Sequence, residues 1–132
     1  MIQQDYFMRL LREFAEALEL LLHKKDHDRQ MEEMQAMYSR YIGPSSEFFH
    51  TSSIDDVMSS FERFREDERI GRMEMLADLY YAEASITTAP SRNVLLERAL
   101  AIYLHVDANG RTYSAERLNK IDDIRRQIQT TS

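Results

Sequence analysis

Ser91-Arg92-Asn93-Val94-Leu95-Leu96-Glu97-Arg98-Ala99-Leu100-Ala101-Ile102-Tyr103-Leu104-His105-Val106-Asp107-Ala108-Asn109-Gly110 is the stretch that decides the fold. Its apolar residues (Val94, Leu95, Leu96, Ala99, Leu100, Ile102, Tyr103, Val106) leave a thin polar strip of Glu97, Arg98, Ala101 and His105. A helix that is apolar on most sides is covered on most sides by its neighbours. Asn109-Gly110 then turns the chain into a sharply amphipathic helix, from about Thr112 or Ser114 to Gln129, with Leu118, Ile121, Ile124 and Ile128 inward. A buried helix followed by an amphipathic one predicts a stacked helical hairpin, and so an all-α protein of the repeat or bundle kind.

Working outward, the same spacing of three and four predicts four further helices. The first runs from Gln3 or Gln4 to His23 with Phe7, Leu10, Leu11, Phe14, Ala15, Leu18, Leu21 and Leu22 on its apolar face. Asp26 is placed to cap a second helix that reaches Tyr41 or Ile42, with Met31, Met34, Met37 or Tyr38, and Tyr41 inward. Gly43-Pro44 stops it. Pro44 to Ser52 reads as a loop, in which at least one of Phe48 and Phe49 packs back onto the core or else forms a partner-binding patch. Ser52 or Ser53 caps a third helix with Ile54, Val57, Met58, Phe61 and Phe64 buried. The charge run Arg65 to Arg69 is either a link or a continuation, and the expected break falls near Glu66 or Asp67. The fourth helix covers about Asp67 to Ile86 on a stripe of Ile70, Met73, Leu76, Ala77, Tyr80 and Ala84, and Ser91 caps the fifth. Six helices in three antiparallel hairpins follow, in one domain of residues 1–132, with an N-terminal pair over 1–42 and a helical part over 53–132.

Composition agrees with helix. The 132 residues include only 3 Gly and 2 Pro, with 43% hydrophobic and 30% charged residues. A net charge of -6 argues against a nucleic-acid partner, which requires a basic stripe, and Lys24-Lys25 and Arg125-Arg126 both lie beside acids. The absence of cysteine excludes disulfides, thiolate metal sites and cysteine nucleophiles, and fits the cytoplasm. The opening residues do not read as a signal peptide, and no stretch approaches the length of a membrane span. The first helix mixes Arg with Glu on its polar face, which argues against a membrane-surface role.

Within the fourth and fifth helices, Leu76-Ala77-x-x-Tyr80 and Ala99-x-x-x-Tyr103 resemble the small-residue and aromatic signatures of a tetratricopeptide repeat. The resemblance covers about a third of the chain and implies close helix approach at the small residues and a concave face lined by the first helix of each pair. The chain departs from that pattern in a linker about ten residues longer than the repeat of about 34 allows. It departs also in Asn119 and Asp122, which stand where a small residue and an aromatic would fall. The opening Gln4-Asp5-Tyr6-Phe7-Met8-Arg9-Leu10 resembles the start of a family of short, uncharacterised bacterial proteins with a helical-repeat C-terminal part. That resemblance implies a bacterial cytosolic protein and supplies no functional residues.

Groups that could carry chemistry are few. His23 and His27, with Asp26 and Asp28, could share zinc or nickel on one continuous helix, but the break expected at Lys25-Asp26 makes them dipole and capping residues. His50 and His105 read as isolated, His105 at the surface. The acid pairs Glu32-Glu33, Asp55-Asp56 and Asp122-Asp123 diverge by about 100° on a helix and so do not form an acid/base couple. With Gly43, Gly71 and Gly110 the only glycines, neither a nucleophile elbow nor a phosphate cradle can be built.

The expected function is therefore a non-enzymatic protein–protein interaction module without a cofactor or metal, whose partner is a protein or peptide. By the repeat resemblance its contact surface lies on the fourth helix, at Arg72, Glu74, Met75, Asp78, Leu79, Tyr81 and Glu83. Of these, Met75, Leu79 and Tyr81 are apolar positions off the main stripe, which equally fit packing on the third helix. Two alternatives remain: a homodimer through the face of the first helix or through Leu100 and Leu104, and a small-ligand carrier with a pocket between hairpins. The eight methionines serve the core or an adaptable groove.

Overall fold

The computed structural model describes Ile2 to Thr131, with side chains from Asp5 to Thr130. Seven α-helices and no strand are present among these residues: α1 (Ile2–Leu22), α2 (His27–Met37), α3 (Ser46–Thr51), α4 (Ile54–Ser59), α5 (Glu66–Ser85), α6 (Ser91–Asn109) and α7 (Ala115–Thr131). The all-α class is thus met. The count is one higher than the sequence pattern predicts, because the Pro44–Ser52 segment is not a loop. It holds the six-residue helix α3, whose N-cap Ser45 accepts a hydrogen bond from the Phe48 amide.

Helix ends follow local chemistry. The Asp26 carboxylate accepts from the amides of Asp28 and Arg29 and starts α2. The last turn of that helix widens into a π turn, Tyr38–Ile42, which brings Tyr38, Tyr41 and Ile42 into the core together. It closes at Gly43, whose φ of 60° is open to glycine at little cost and whose N–H meets the Tyr38 carbonyl at 2.7 Å. The hydroxyl of Ser53 caps α4 and that of Ser114 caps α7. The break before α5 falls at Phe64 and Arg65, after a short 3₁₀ turn, Ser60–Arg63. Ser91 does not cap α6: it lies within the first turn, and Pro90 occupies the cap position without a side-chain bond.

Helices α5 and α6 form the most extensive contact of the fold. Ala77 and Ala99 are fully buried in them, as are Leu76, Tyr80, Ile102 and Tyr103. On the far side of α5 lies α1. Gly71 makes this approach possible, since a Cβ there would stand 2.7 Å from the ring of Phe7. The guanidinium of Arg72 sits over the rings of Phe7 and Phe64 and donates to the Tyr41 carbonyl, tying α1, the π turn and α5 together. No described helix is long and apolar enough to cross a membrane.

Candidate functional site

Three helices run in the same direction side by side. Contacts between α5 and α7 climb both helices together: Glu74 with Arg117, Asp78 with Lys120, Tyr81 with Asp123. Likewise Phe7 and Leu11 lie by Gly71 at the start of α5, while Leu18 and Leu22 share a cavity with Ala82 and Ser85 near its end. Helix α5 is therefore the floor of a groove, with α1 and α7 as its walls.

The groove has two continuous parts that share Phe14, Ala15, Asp78, Glu116 and Lys120. The larger, about 580 Å³, is lined by Leu18, Glu19 and Leu22 of α1, Tyr81, Ala82 and Ser85 of α5, and Asp123 and Gln127 of α7. The smaller, about 270 Å³, continues to Leu11, Gly71, Glu74, Met75, Ser114 and Arg117. Its two walls differ in character: α1 offers mainly apolar side chains and α7 charged ones. That division follows from the sequence, because the apolar stripe of α1 is wider than α5 can cover, whereas Ile121 and Ile124 of α7 are turned away into the core.

The α7 wall is held by three polar rungs. Arg117 is buried and donates to Glu74 at 3.0 Å, to Asp107 at 3.1 Å and to the Thr112 carbonyl at 2.7 Å. Lys120 meets Asp78 at 3.1 Å and Glu116 at 3.6 Å, and the Tyr103 hydroxyl donates to the same Asp78 oxygen as Lys120. Tyr81 donates to Asp123, which also accepts from Gln127 at 2.8 Å. Burial raises the Asp78 carboxyl above its ordinary value against the pull of Lys120. It lowers Lys120 in turn, but Asp78 and Glu116 outweigh it and leave that amine above its ordinary value. Burial, reinforced by the adjacent carboxylates, pushes the hydroxyls of Tyr81 and Tyr103 up, so both remain neutral donors.

A second polar cluster lies behind the groove, under α3. Glu83 accepts from the Tyr38 hydroxyl at 2.8 Å and from His50 Nε2 at 2.8 Å, while His50 Nδ1 faces the Ser46 carbonyl at 2.7 Å. Arg98 donates to the carbonyls of Phe49 and Ser52, and Tyr80 donates to that of Phe49. His50 is thus not isolated. Both its ring nitrogens are engaged, which leaves neither free to take a proton from a substrate.

Of the residues assigned to a contact surface, the structure brings Asp78, Tyr81 and Glu74 into the groove. Met75 also touches it but is only 2% exposed, and Leu79 is fully buried. Both are core residues, because α5 is enclosed on nearly every side and has no free apolar face to offer. Glu83 is buried with its partners, and Arg72 is a strut between helices. Residues the sequence pattern did not assign complete the site: Ala15, Leu18 and Leu22 of α1 and Glu116, Lys120 and Asp123 of α7. The signal for α1 was its broad apolar face, and for α7 the polar residues flanking its isoleucines.

His23 and His27 are exposed on opposite sides of the α1–α2 break, and His105 is exposed as expected. Among the described residues no group of three or more His, Asp or Glu could hold a metal ion. No family model matches the chain, and no curated protein or solved structure matches it significantly.

Proposed function

We propose that this protein is a non-enzymatic interaction module that seats a segment of a partner protein in the groove between α1 and α7. The observation that carries this reading is the groove itself: a trough open along one side, floored by α5, with an apolar wall facing a charged one. Sites for small molecules are mostly concave and enclosed by apolar side chains, whereas a segment with two faces matches a trough with two kinds of wall. The parallel run of α1, α5 and α7, and the extensive α5–α6 contact with Ala77 and Ala99 fully buried, support a tetratricopeptide-like stack in which first helices line the concave side. A cytoplasmic place for such a module agrees with the lack of cysteine.

The test uses Ala15→Trp, which fills the groove from an exposed position without touching the core. A partner held by the wild-type protein and identified by mass spectrometry should be lost from the variant at unchanged helicity and melting temperature. Equal retention by both proteins would overturn the reading.

A second reading is favoured by the outer face of α1. Leu20 is 71% exposed beside a depression of about 370 Å³ formed with Ala36, Met37 and Arg40 of α2 and the π turn. A homodimer on this face would bury it. Light scattering over a range of concentrations separates the two readings: a monomer near 15.7 kDa removes the dimer.

A further inference from the structure

The charge of the groove defines what it accepts. Its lining contains five carboxylates (Glu19, Glu74, Asp78, Glu116 and Asp123) and two cations, Arg117 and Lys120. Both cations are already committed, Arg117 to Glu74 and Asp107 and Lys120 to Asp78 and Glu116. Arg126 reaches Asp123 from outside the groove at 3.7 Å and is itself largely exposed. Among the described residues Glu19 has no ion-pair partner, and the side chain of Glu116 is 82% exposed while the one described cation that meets it is shared with the more buried Asp78. Uncompensated negative charge therefore stands on both rims. Between the rims, Phe14, Leu18, Leu22 and Ala82 contribute apolar lining beside Asp78 and Tyr81.

We infer that the occupant is a basic amphipathic segment of a partner protein, with apolar side chains seated against α1 and Lys or Arg side chains reaching Glu19 on one rim and Glu116 and Asp123 on the other. This rests on the groove being the interaction site. From Gly71 to Ser85 the floor spans about 14 residue steps, or about 21 Å at the rise of an α-helix. An acidic segment would meet like charge on both rims, and both cations of the described lining, Arg117 and Lys120, are already paired. Its apolar α1 wall sets the groove apart from a plain acidic surface: a basic segment without apolar residues would leave Leu18 and Leu22 in water.

The experiment uses three fluorescein-labelled synthetic peptides, each long enough to span the groove. One is built of Leu, Ala and Lys with leucines at helical spacing, one has every Lys replaced by Glu, and one is a scramble of the first that destroys its apolar face. Anisotropy gives the affinities, and backbone NMR shifts of the labelled protein give the location. The basic amphipathic peptide should bind with shifts at Ala15, Leu18, Ala82 and Glu116, and more tightly than the other two. Glu19→Lys combined with Glu116→Lys, both surface changes, should weaken it by about tenfold or more and weaken its dependence on salt.

Equal or tighter binding of the acidic peptide, or no effect of the double reversal, overturns the assignment of a basic partner. The groove reading survives that result provided that Leu18→Glu, checked for retained helicity, still abolishes binding of both. Shifts that map elsewhere, or no binding by any peptide, overturn both.

Discussion

His50 on α3 and Glu83 in the last turn of α5 meet at 2.8 Å although they stand 33 positions apart in the chain. With the Ser46 carbonyl on its other nitrogen, the ring faces two acceptors, which favour its protonated form. Burial lowers the His50 pKa, but the bonds to Glu83 and Ser46 outweigh it and leave the value raised above 6.5. Burial raises Glu83 in turn, yet His50 and Tyr38 bring it below 4.5.

A raised histidine contributes its full stabilisation below its unfolded value and loses it as pH rises through the folded one. A lowered carboxylate contributes above its unfolded value and loses it as pH falls through the folded one. Stability from this pair is therefore greatest between pH 4.5 and 6.5 and declines on both sides. Chemical denaturation across pH 4 to 9 should show a decline on the alkaline side that His50→Gln removes. His50→Ala should cost about 1–3 kcal/mol near pH 6, because it leaves a buried carboxylate with one partner fewer. An alkaline limb unchanged in His50→Gln would show that the pair does not set it.

Arg117 is the second point of leverage. One guanidinium bridges Glu74 on α5, Asp107 on α6 and the Thr112 carbonyl in the turn, so three segments depend on a single planar fork. Lysine keeps the charge but can satisfy only part of this set from one nitrogen. Arg117→Lys should cost about 2 kcal/mol, seen as a fall in Tm of roughly 6–10 °C. A double-mutant cycle of Glu74→Gln with Arg117→Met should give a coupling of about 1 kcal/mol or more. Additive effects would mean that the rung does not hold α7 in place.

Signals local to the chain were legible in the sequence. Asp26 and Gly43-Pro44 act within a few residues, through a cap and a left-handed turn. What depends on distant partners was not. Helix α3 has six residues, too few to show a period, and its last carbonyls are received by Arg98 from α6. Its loop-like composition therefore misleads. His50 looks isolated because Glu83 lies far along the chain. Met75 and Leu79 look like a free face because a stripe reading assigns one buried side to a helix, whereas α1, the π turn and α6 all pack on α5. Glu74, Asp78 and Tyr81 of the groove floor lie on the helix the repeat resemblance singles out. The α1 and α7 walls are not legible, since nothing local states that these helices run alongside α5.

The α5–α6 contact gives a prediction of opposite kind, in which adding atoms destabilises. Ala99 has no exposed surface and belongs to the same buried cluster as Leu76, Tyr80 and Tyr103, where α5 and α6 make the most extensive contact of the fold. Ala99→Leu forces the helices apart and should cost about 1–3 kcal/mol, while Ala101→Leu, at an exposed position of the same helix, should change stability by less than about 0.5 kcal/mol. Urea melts of the two variants measure the contrast. Equal tolerance of both would mean that α6 leaves room against α5 at Ala99.

Leu79 and Tyr81 are two residues apart on α5, and their substitutions should part company. Leu79 has no exposed surface, so Leu79→Glu must place a carboxylate in the core without a partner. Its cost exceeds about 4 kcal/mol, a large share of the 5–15 kcal/mol that holds a domain of this kind folded. Tyr81 lies half-buried on the groove floor with its hydroxyl on Asp123. Tyr81→Phe keeps the ring and loses that bond, for about 1 kcal/mol, while Asp123 retains Gln127. Circular dichroism with thermal melts should therefore give a cooperative transition for Tyr81→Phe and a collapsed or absent one for Leu79→Glu. A well-folded Leu79→Glu would place this side of α5 at the surface, and the floor of the groove would have to be redrawn around it.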